Sequence, residues 1–365
     1  MKKRTLLAFC LIALSAAMIL SCSKDPKVAT PLNAPVLVSV ESFIPRGFSS
    51  KVVDLNLRND NPLTVQGIAL GRRLFYDPLL SGNNKQSCGS CHIQKYAFSN
   101  GLDFALSLGA DGFSKTRRNA PTTFNLLWAK SFTWDGGQPN LEEQVVGPIT
   151  NPVEMNQDIS LLANELQADP NYPYLFKKAF GTDSITVALV AKALAQFERI
   201  IVSGDSKFDL WAQRKINLSN DELEGYAIFQ SQTLGDCIHC HSAGNTFTNF
   251  DFKHNGLDTA MSGTQVDVGR FGVTHQGFDS MMFKTPTLRN IALTAPYMHD
   301  GRFKTLEEVV EFYDHGFYRN RNLDVNMMML PKYRMSTTQK MQLVAFLKTL
   351  TDTSLTKDLR YSTPF

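Results

Sequence analysis

The sequence lacks the charge imbalance of a nucleic-acid-binding protein and the strand alternation of an all-β fold. Its 37 Lys and Arg side chains nearly cancel 34 Asp and Glu, which leaves a dispersed formal charge of +3. We therefore exclude nucleic acid as a partner. The hydrophobic share is 43% over 365 residues, enough for a sizeable core, and a chain of this length predicts about two domains rather than a small stapled scaffold.

The N-terminus predicts export. Basic residues 2–4 precede a 16-residue apolar run, Thr5 to Leu20, which is too short for a comfortable membrane span and predicts a signal peptide over residues 1–21. The run leads into Ile-Leu-Ser-Cys22, which resembles the lipobox of bacterial lipoproteins. An acylated Cys22 would give an exported lipoprotein, periplasmic or at the cell surface, held to a membrane by its N-terminal lipid through a polar tether over residues 22–50. The alternative is a plain secretory signal with an unmodified cysteine.

Cysteines are scarce, and none is left for a structural disulfide once Cys10 leaves with the signal peptide and Cys22 carries lipid. The other four lie in two Cys-x-x-Cys-His motifs, at Cys88, Cys91 and His92 and at Cys237, Cys240 and His241. Two thiols one helical turn apart can add to the two vinyl groups of haem while the adjacent His reaches the iron, so each copy predicts one covalent haem c. A zinc site would need converging ligands, but the pairs lie 149 residues apart, and no strand flanks them as in a thioredoxin-like motif.

The two halves of the chain repeat each other. Phe98-Ser99-Asn100 recurs as Phe247-Thr248-Asn249 at an offset of 149, and Pro121-Thr122 and Asp135-Gly136 recur as Pro286-Thr287 and Asp300-Gly301 at an offset of 165. The difference between the offsets puts 16 extra residues in the second half, between about Asp251 and Lys284. Two cytochrome-c-like domains related by duplication are the simplest explanation.

Helical periodicity predicts a mainly α fold with long loops. Ser219 with Glu222 three residues later is a capping-box signature for the helix that leads to the second haem motif. The expected helices run over Val65 to Tyr76, Ser160 to Asp169, Thr186 to Ser203, Asn220 to Gln232, Leu306 to His315 and Thr337 to Leu350. We place the first haem domain at residues 51–203, the second at 204–352 and a C-terminal tail at 353–365.

Six further stretches carry a family pattern. They are Gly71-Arg-Arg-Leu-Phe-Tyr-Asp-Pro, Arg118-Asn-Ala-Pro-Thr, Trp134-Asp-Gly, Gly147-Pro, Val153-Glu-Met-Asn and Leu288-Arg-Asn-Ile-Ala-Leu-Thr-Ala-Pro-Tyr-Met-His-Asp-Gly. Together they resemble the bacterial di-haem cytochrome c peroxidases and the related MauG proteins. The resemblance implies a peroxide-reactive first haem, a second haem that passes electrons, and one calcium ion between the domains, bound by Asn119 and the carbonyl oxygens of Thr294 and Pro296.

The loop before Arg118 helps to distinguish the branches of that family. Its peroxidases typically place a distal His on the first haem there, but here the loop reads Gly109-Ala-Asp-Gly-Phe, and no His occurs between His92 and His239. We therefore expect an open distal face on the first haem. The histidines that could fill it instead come from the second half, and they are His254, His275, His299 and His315.

For the second haem, the family peroxidases use a Met after a Leu-x-Glu-Ala-Val segment, whereas MauG has a Tyr. This chain has Leu306-Glu-Glu-Val-Val-Glu-Phe-Tyr, so the resemblance assigns Tyr313 to the second iron. The repeat makes Pro148 its counterpart in the first half, and proline cannot ligate. The alternative is a packed Tyr313, with Met298 or one of Met327 to Met329 as the ligand.

The resemblance also assigns residues around the first haem. Glu154 would move a proton from the near to the far oxygen of peroxide, Gln144 would hydrogen-bond the bound peroxide, and Pro148 would shape the pocket. Trp134 would relay electrons between the haems. The alternatives are a loop carboxylate for Glu154, a solvated helix residue for Gln144 and a core aromatic for Trp134.

The sequence thus predicts a di-haem c enzyme that reduces hydrogen peroxide to water, with electrons delivered through the second haem from a cytochrome c-like donor. A first alternative is MauG-type, peroxide-dependent oxidation of a protein or small-molecule substrate, which Tyr313 and the missing distal His favour. A second is a non-enzymatic di-haem electron carrier. The oligomeric state stays open, with a homodimer among the options.

The purified protein should carry two covalently attached haems per chain, because each cysteine pair supplies the two thioether bonds of one haem. Pyridine haemochrome quantitation and denaturing mass spectrometry measure this load. Cys237→Ala should lose the second haem and keep the first. A wild-type mass with one haem or none would contradict the interpretation.

Overall fold

The computed structural model describes residues 34–48, 57–102, 105–242, 244–258, 266–331 and 334–365. The expected signal peptide, the lipidation site Cys22 and the first part of the expected tether lie outside these residues. Within them the chain is mainly helical, with one two-stranded antiparallel ribbon. None of the helices in these ranges is both long and apolar enough to span a membrane.

The α-helices are, in chain order, α1 (Val65–Tyr76), α2 (Cys88–Cys91), α3 (Leu141–Gln144), α4 (Val146–Thr150), α5 (Ile159–Ala168), α6 (Tyr172–Phe180), α7 (Val187–Arg199), α8 (Lys207–Ala212), α9 (Asn220–Gln230), α10 (Phe271–Thr274), α11 (Leu306–Glu311), α12 (Val325–Met329) and α13 (Thr337–Lys348). A π-helical turn, Phe312–Gly316, continues α11. Short 3-10 turns lie at Val40–Phe43, Pro78–Leu80, Gln94–Tyr96, Leu126–Trp128, Cys237–His239, Gly277–Asp279 and Leu355–Lys357. Strand β1 (Phe252–Lys253) pairs with β2 (Phe283–Lys284).

Capping side chains set the starts of the longer helices. The predicted capping box at Ser219 is confirmed, since the Ser219 N–H donates to the Glu222 carboxylate at 2.7 Å and Ser219 Oγ accepts from the Glu222 N–H. Helix α1 begins after Thr64, whose hydroxyl accepts from the Gly67 N–H at 2.9 Å. All six expected helices are present, with ends that differ by a few residues, whereas α6 was not expected because Pro173 in its first turn obscures the periodicity.

Two helix pairs, α1 with α7 and α9 with α13, cross in the same way. A Cβ atom added to Gly71 of α1 would lie 1.9 Å from the Ala193 carbonyl oxygen, and one added to Gly225 of α9 would lie 1.9 Å from the Gln342 carbonyl oxygen. Only glycine permits such close backbone approach. Each crossing is therefore fixed by one residue without a side chain.

The hydrophobic core divides into two main clusters. The first gathers around α1, α5, α6 and α7, and the second around α9, α11 and α13. Leu355 and Tyr361 of the expected C-terminal tail are buried in the first cluster, as is Val40 of the expected tether. The Tyr76 hydroxyl donates to the Tyr361 carbonyl oxygen at 2.6 Å. The end of the chain thus crosses back and packs on the first half.

An ion-pair cluster joins the two halves. The Arg118 guanidinium donates to both oxygens of Asp267, at 2.7 and 2.8 Å, and to Asp135 at 2.6 Å. Burial raises the pKa of the Asp267 carboxyl, but the hydrogen bonds from Arg118 outweigh this effect and the pKa is lowered to about 2. The same guanidinium lies 5.5 Å from the ring centre of Phe283. The segment that contains Trp134 is therefore held against the second half.

Gly71→Ala should lower the free energy of unfolding by roughly 1–3 kcal/mol, because the new methyl group has to push the Ala193 carbonyl away. Alanine normally stabilises a helix relative to glycine, so a loss of stability in this variant would itself indicate the close contact. Chemical denaturation of the haem-loaded protein measures the change. Gly272→Ala in α10 is the control, since its Cβ would meet only Val268 Cγ2 at 3.4 Å; equal effects of the two variants would argue against the close crossing.

Candidate di-haem site

Both motif histidines are held in the same way. His92 Nδ1 lies 3.2 Å from the Phe98 carbonyl oxygen, and His241 Nδ1 lies 3.3 Å from the Phe247 carbonyl oxygen. A carbonyl can only accept, so each Nδ1 carries the proton and each Nε2 presents a lone pair. Burial lowers the pKa of both rings, that of His241 to about 4. Neutral imidazoles with a free Nε2 are the form that binds haem iron.

The four motif thiols are free and partly buried. Cys88 and Cys91 begin and end α2, whose capping residue Ser87 bonds Ser90 in a capping box. Burial raises the pKa of all four thiols, to about 12 for Cys237. Each pair therefore presents two thiols at one-turn spacing beside a preorganised imidazole, which fits haem attachment.

The second motif opens into a cavity of about 280 Å³. Its walls include Cys237, Cys240 and His241 on one side, Trp134 and Phe283 from the contact between the halves, and Tyr313, Met298 and Met327. The lining is mostly apolar, as a flat porphyrin requires. The structure thus brings the expected second-haem ligands into one pocket.

Tyr313 and two of the alternative sulfur ligands, Met298 and Met327, line this cavity. The Asn255 side-chain amide donates to the Tyr313 hydroxyl at 3.2 Å and to Met298 Sδ at 3.6 Å. Tyr313 lies in the π-helical turn that follows α11. Burial raises the pKa of Tyr313 to about 12, and the bond from Asn255 opposes that rise. Tyr313 and Met298 thus lie side by side, and a single amide contacts both.

Two partly buried cations that the sequence did not reveal also line the cavity, Lys284 and Arg334. The Lys284 ammonium donates to the Ser131 carbonyl oxygen at 2.7 Å, and burial lowers its pKa to about 8. Burial also lowers the pKa of Arg334. Two cations beside an apolar cavity fit the carboxylates of haem propionates. The Lys-Thr-Pro-Thr sequence around Lys284 carries no signal of this role by itself.

Trp134 lies at the contact between the halves. Its indole Nε1 donates to the Asn119 carbonyl oxygen at 2.8 Å, and its own carbonyl accepts from the Lys284 N–H at 2.7 Å. The ring also lines the second cavity. This position, held from both halves, is compatible with a relay between two haems.

Glu154 lies beside the first haem motif. Asn151 Nδ2 donates to Glu154 Oε1 at 2.8 Å, and the Glu154 carbonyl accepts from the Ala110 N–H at 2.6 Å. Burial raises the pKa of Glu154, and its charge in turn contributes to the raised pKa of Cys91, behind the effect of burial. The loop in which family peroxidases carry the distal His therefore lies against Glu154 and offers no imidazole.

Pro148 and Gln144 lie on the short helices before Glu154. The Pro148 carbonyl accepts from the Met155 N–H at 3.1 Å, which ties Pro148 to the Glu154 segment. Gln144 ends α3 and is half-buried. The structure thus places Pro148 and Glu154 together, with Gln144 one turn earlier.

The histidines of the second half are engaged there. His254 is buried between the Gly256 N–H and the Asn320 amide, and His299 stacks on Phe283 with ring centres 3.8 Å apart. His315 lies 3.4 Å from Glu311, and His275 meets Phe271 edge-on. These side-chain contacts lie within the second half, whereas the His299 carbonyl accepts from the Asn119 N–H of the first half at 2.7 Å.

The three residues expected to bind calcium, Asn119, Thr294 and Pro296, line one cavity. Asn119 Nδ2 donates to Asn100 Oδ1 at 3.1 Å and to the Ala105 carbonyl at 3.0 Å, so its side-chain oxygen is the atom that could face a cation. Across the residues that the structure describes, no cluster of three His, Cys, Asp or Glu side chains is arranged for a metal. A cation here would rest on amide and carbonyl oxygens.

Comparisons with known proteins agree with this geometry. Residues 65–217 match the model of the family described as di-haem cytochrome c peroxidase. The methylamine utilization protein MauG of Methylorubrum extorquens is 37% identical over 292 residues, 80% of this chain and 79% of that protein. The cytochrome c551 peroxidase of Nitrosomonas europaea is 36% identical over 283 residues, 77% of this chain and 79% of that protein.

A solved structure, described as a MauG-like protein associated with microbial copper homeostasis, superposes with a TM-score of 0.80 at 32% identity. It covers 88% of this chain and 99% of its own. The sequence motifs, the paired histidine geometry and these similarities lead to one conclusion. The chain belongs to the di-haem cytochrome c peroxidase family, which includes the MauG proteins.

Proposed function

We propose that this protein is a di-haem c peroxidase that reduces hydrogen peroxide to water with electrons from a small redox protein such as a cytochrome c. The observation that carries the proposal is the contrast between the surroundings of its two haem motifs. Beside the first lies a partly buried carboxyl of raised pKa, Glu154, against a loop without a distal His. Beside the second lies a cavity lined by Tyr313 and Met298. The first surroundings suit peroxide chemistry and the second suit electron transfer.

Haem supplies an iron that binds peroxide and exchanges electrons with it, and the protein residues supply the rest. The balanced reaction takes one peroxide, two electrons and two protons to two waters. Glu154 in its carboxylate form accepts the proton of the near oxygen and delivers it to the far oxygen, so that water leaves. Asn151 holds the Glu154 carboxyl in place through its 2.8 Å hydrogen bond. Gln144 bonds the bound peroxide, and Pro148 keeps a protein ligand away from the iron.

Electrons enter at the second pocket. Lys284 and Arg334 would neutralise the propionates of a haem held there, and Trp134 would pass electrons towards the first haem. Trp134 is fixed for this role by hydrogen bonds to Asn119 and Lys284. An ordered aromatic between two redox centres shortens the distance that each electron must cross.

The finer assignments belong to the same proposal. Each half is a cytochrome-c-like domain with one covalent haem, and the matched bonds of His92 and His241 support duplication. Calcium is bound by Asn119 and the carbonyl oxygens of Thr294 and Pro296. The chain is an exported lipoprotein attached to a membrane through Cys22, which the lipobox-like sequence supports.

A MauG-type oxidase is the second candidate, and a specific observation favours it. Tyr313, which the sequence resemblance matches to a Tyr of MauG, lines the second cavity, and a MauG protein is among the similar relatives. In that reaction the two electrons that reduce peroxide come from a protein or small-molecule substrate. If the protein catalyses steady oxidation of reduced cytochrome c by peroxide, the peroxidase is supported. If the protein reacts with peroxide but does not oxidise reduced cytochrome c, the oxidase is supported.

Glu154→Gln should lower the rate of peroxide turnover by roughly 10² to 10⁴, because the amide keeps the shape but cannot shuttle a proton. Wild-type activity should rise with pH as Glu154 loses its proton, because only the carboxylate can accept one. Burial raises the pKa of Glu154, so this rise should occur at a pH above the usual pKa of a glutamate. Glu143→Gln, at an exposed carboxyl of the same half, is the control. Wild-type turnover in Glu154→Gln with both haem spectra intact would assign the proton transfer elsewhere.

Tyr313→Met should raise the reduction potential of the second haem, because a neutral thioether replaces an oxygen ligand that prefers ferric iron. Redox titration with electron paramagnetic resonance follows the change. Met298→Leu is the matched control and should leave the second-haem spectrum unchanged. If Met298→Leu alters that spectrum and Tyr313→Met does not, Met298 is the ligand.

A further inference from the structure

Helices α7 and α13 can be aligned residue by residue. Phe197 and Phe346 pack in the same way over Gly71 and Gly225. Two residues further along each helix an ion pair recurs, since Arg199 bonds Glu142 at 2.8 Å and Lys348 lies 3.6 Å from Glu307. Lys348 follows Arg199 by 149 residues and Glu307 follows Glu142 by 165 residues, which are the two offsets of the repeat. Between these two matched positions, Glu198 of the first half corresponds to Leu347 of the second.

Leu347 lines the second cavity together with Cys237 and His241. The alignment therefore gives its counterpart Glu198 the equivalent position beside the first motif. In agreement, the charge of Glu198 contributes to the raised pKa of the Cys88 thiol, behind the effect of burial. The first pocket thus has an ionisable group where the second has a leucine.

Glu198 has little to neutralise it. The residue is 4% exposed, and its Oε2 atom has no hydrogen-bond partner among the described residues. The neighbouring Arg199 is committed to both oxygens of Glu142, at 2.8 Å each. Burial raises the pKa of Glu198 to about 8. A carboxyl in this position changes its charge near neutral pH.

A second polar atom follows the same pattern. Thr123 corresponds to Leu288 at the offset of 165, and Leu288 lines the second cavity. Thr123 Oγ1 is buried without a hydrogen-bond partner in the described structure. Two leucines of the second pocket wall are therefore replaced by polar side chains in the first.

We propose that Glu198 couples reduction of the first haem to the uptake of one proton. The inference rests on the proposed binding of two haems. When one electron from the donor protein reduces the ferric iron, the pocket loses a positive charge and the Glu198 carboxylate takes a proton from solvent. Oxidation of the iron releases that proton. The second haem has Leu347 at this position and does not share the coupling.

Other charged and titratable side chains lie on the elements that pack around Glu198. Helix α7 packs against α1, α3, α5, α6 and the turn Leu126–Trp128. The titratable and charged side chains on α7 and on these elements are Lys192, Glu198 and Arg199 on α7, Arg72, Arg73 and Tyr76 on α1, Glu142 and Glu143 on α3, Glu165 on α5, and Tyr172, Tyr174, Lys177 and Lys178 on α6. Among described groups, the charge that acts on Glu198 is that of Arg199, which opposes the effect of burial. In the haem-bound protein the Cys88 sulfur is a thioether and carries no proton.

The test is the pH dependence of the two reduction potentials in the haem-loaded, full-length protein. The first potential should fall by up to about 59 mV for each tenfold drop in proton concentration near neutral pH. Glu198→Gln should flatten this slope, Glu198→Leu should do the same, and Glu198→Asp should restore part of it. Leu347→Gln, a matched change in the second pocket, should leave the slope of the first haem as in wild type. Glu154→Gln separates any contribution from the distal carboxyl.

A wild-type slope in Glu198→Gln with both haems bound would overturn the inference. If the variants do not fold, redox-induced infrared difference spectra of the wild-type protein decide instead. A protonated-carboxyl band that appears on reduction and shifts in heavy water is expected, and its absence overturns the proposal. Haem content and peroxide turnover are measured separately, so a failure of the proposed function is distinguished from a failure of this coupling.

Discussion

The hydrogen bond from His Nδ1 to a backbone carbonyl is the interaction on which both pockets depend. It fixes the tautomer, aims Nε2 into the pocket, and ties the motif to the turn that follows it. That turn requires left-handed backbone at Phe98 and Phe247, with φ of 58° and 51°. The Phe-Ser-Asn and Phe-Thr-Asn segments after the two motifs therefore have two roles. Their backbone orients the imidazole, and their Phe rings pack in the core.

The two halves share one scaffold but differ around their Cys-x-x-Cys-His motifs. The helix crossings at Gly71 and Gly225, the ion pairs of Arg199 and Lys348, and the imidazole bonds are common to both halves. The differences lie at matched sequence positions, such as Pro148 against Tyr313 at the offset of 165. On the proposed function, a duplicated fold would divide catalysis and electron transfer between its copies without changing its backbone plan, because site chemistry depends on a few positions.

Much of this could be predicted from local sequence. The capping box at Ser219 and the six expected helices are short-range signals, and the structure confirms them. The haem motifs and the repeat can also be found from the sequence alone, and the matched geometry of His92 and His241 is consistent with them. Lys284, Arg334 and Glu198 could not be found in that way, because a buried charge acquires its role from residues far away in the chain. The π-helical turn at Tyr313 likewise depends on tertiary packing. The repeat offsets of 149 and 165 residues could have identified Glu198, because with α7 and α13 aligned they pair this carboxyl with Leu347.

The returning end of the chain has a consequence for assembly. Leu355 and Tyr361 complete the first hydrophobic cluster, although about 150 residues of the second half separate them from α7. Arg72 and Tyr76 of α1 also bond carbonyl oxygens at Ser362 and Tyr361. The first hydrophobic cluster is therefore complete only once the last residues have packed against it, and contacts of such long range form slowly. On the proposed function, the Cys88 and Cys91 thiols would meet haem while this part of the chain is still open.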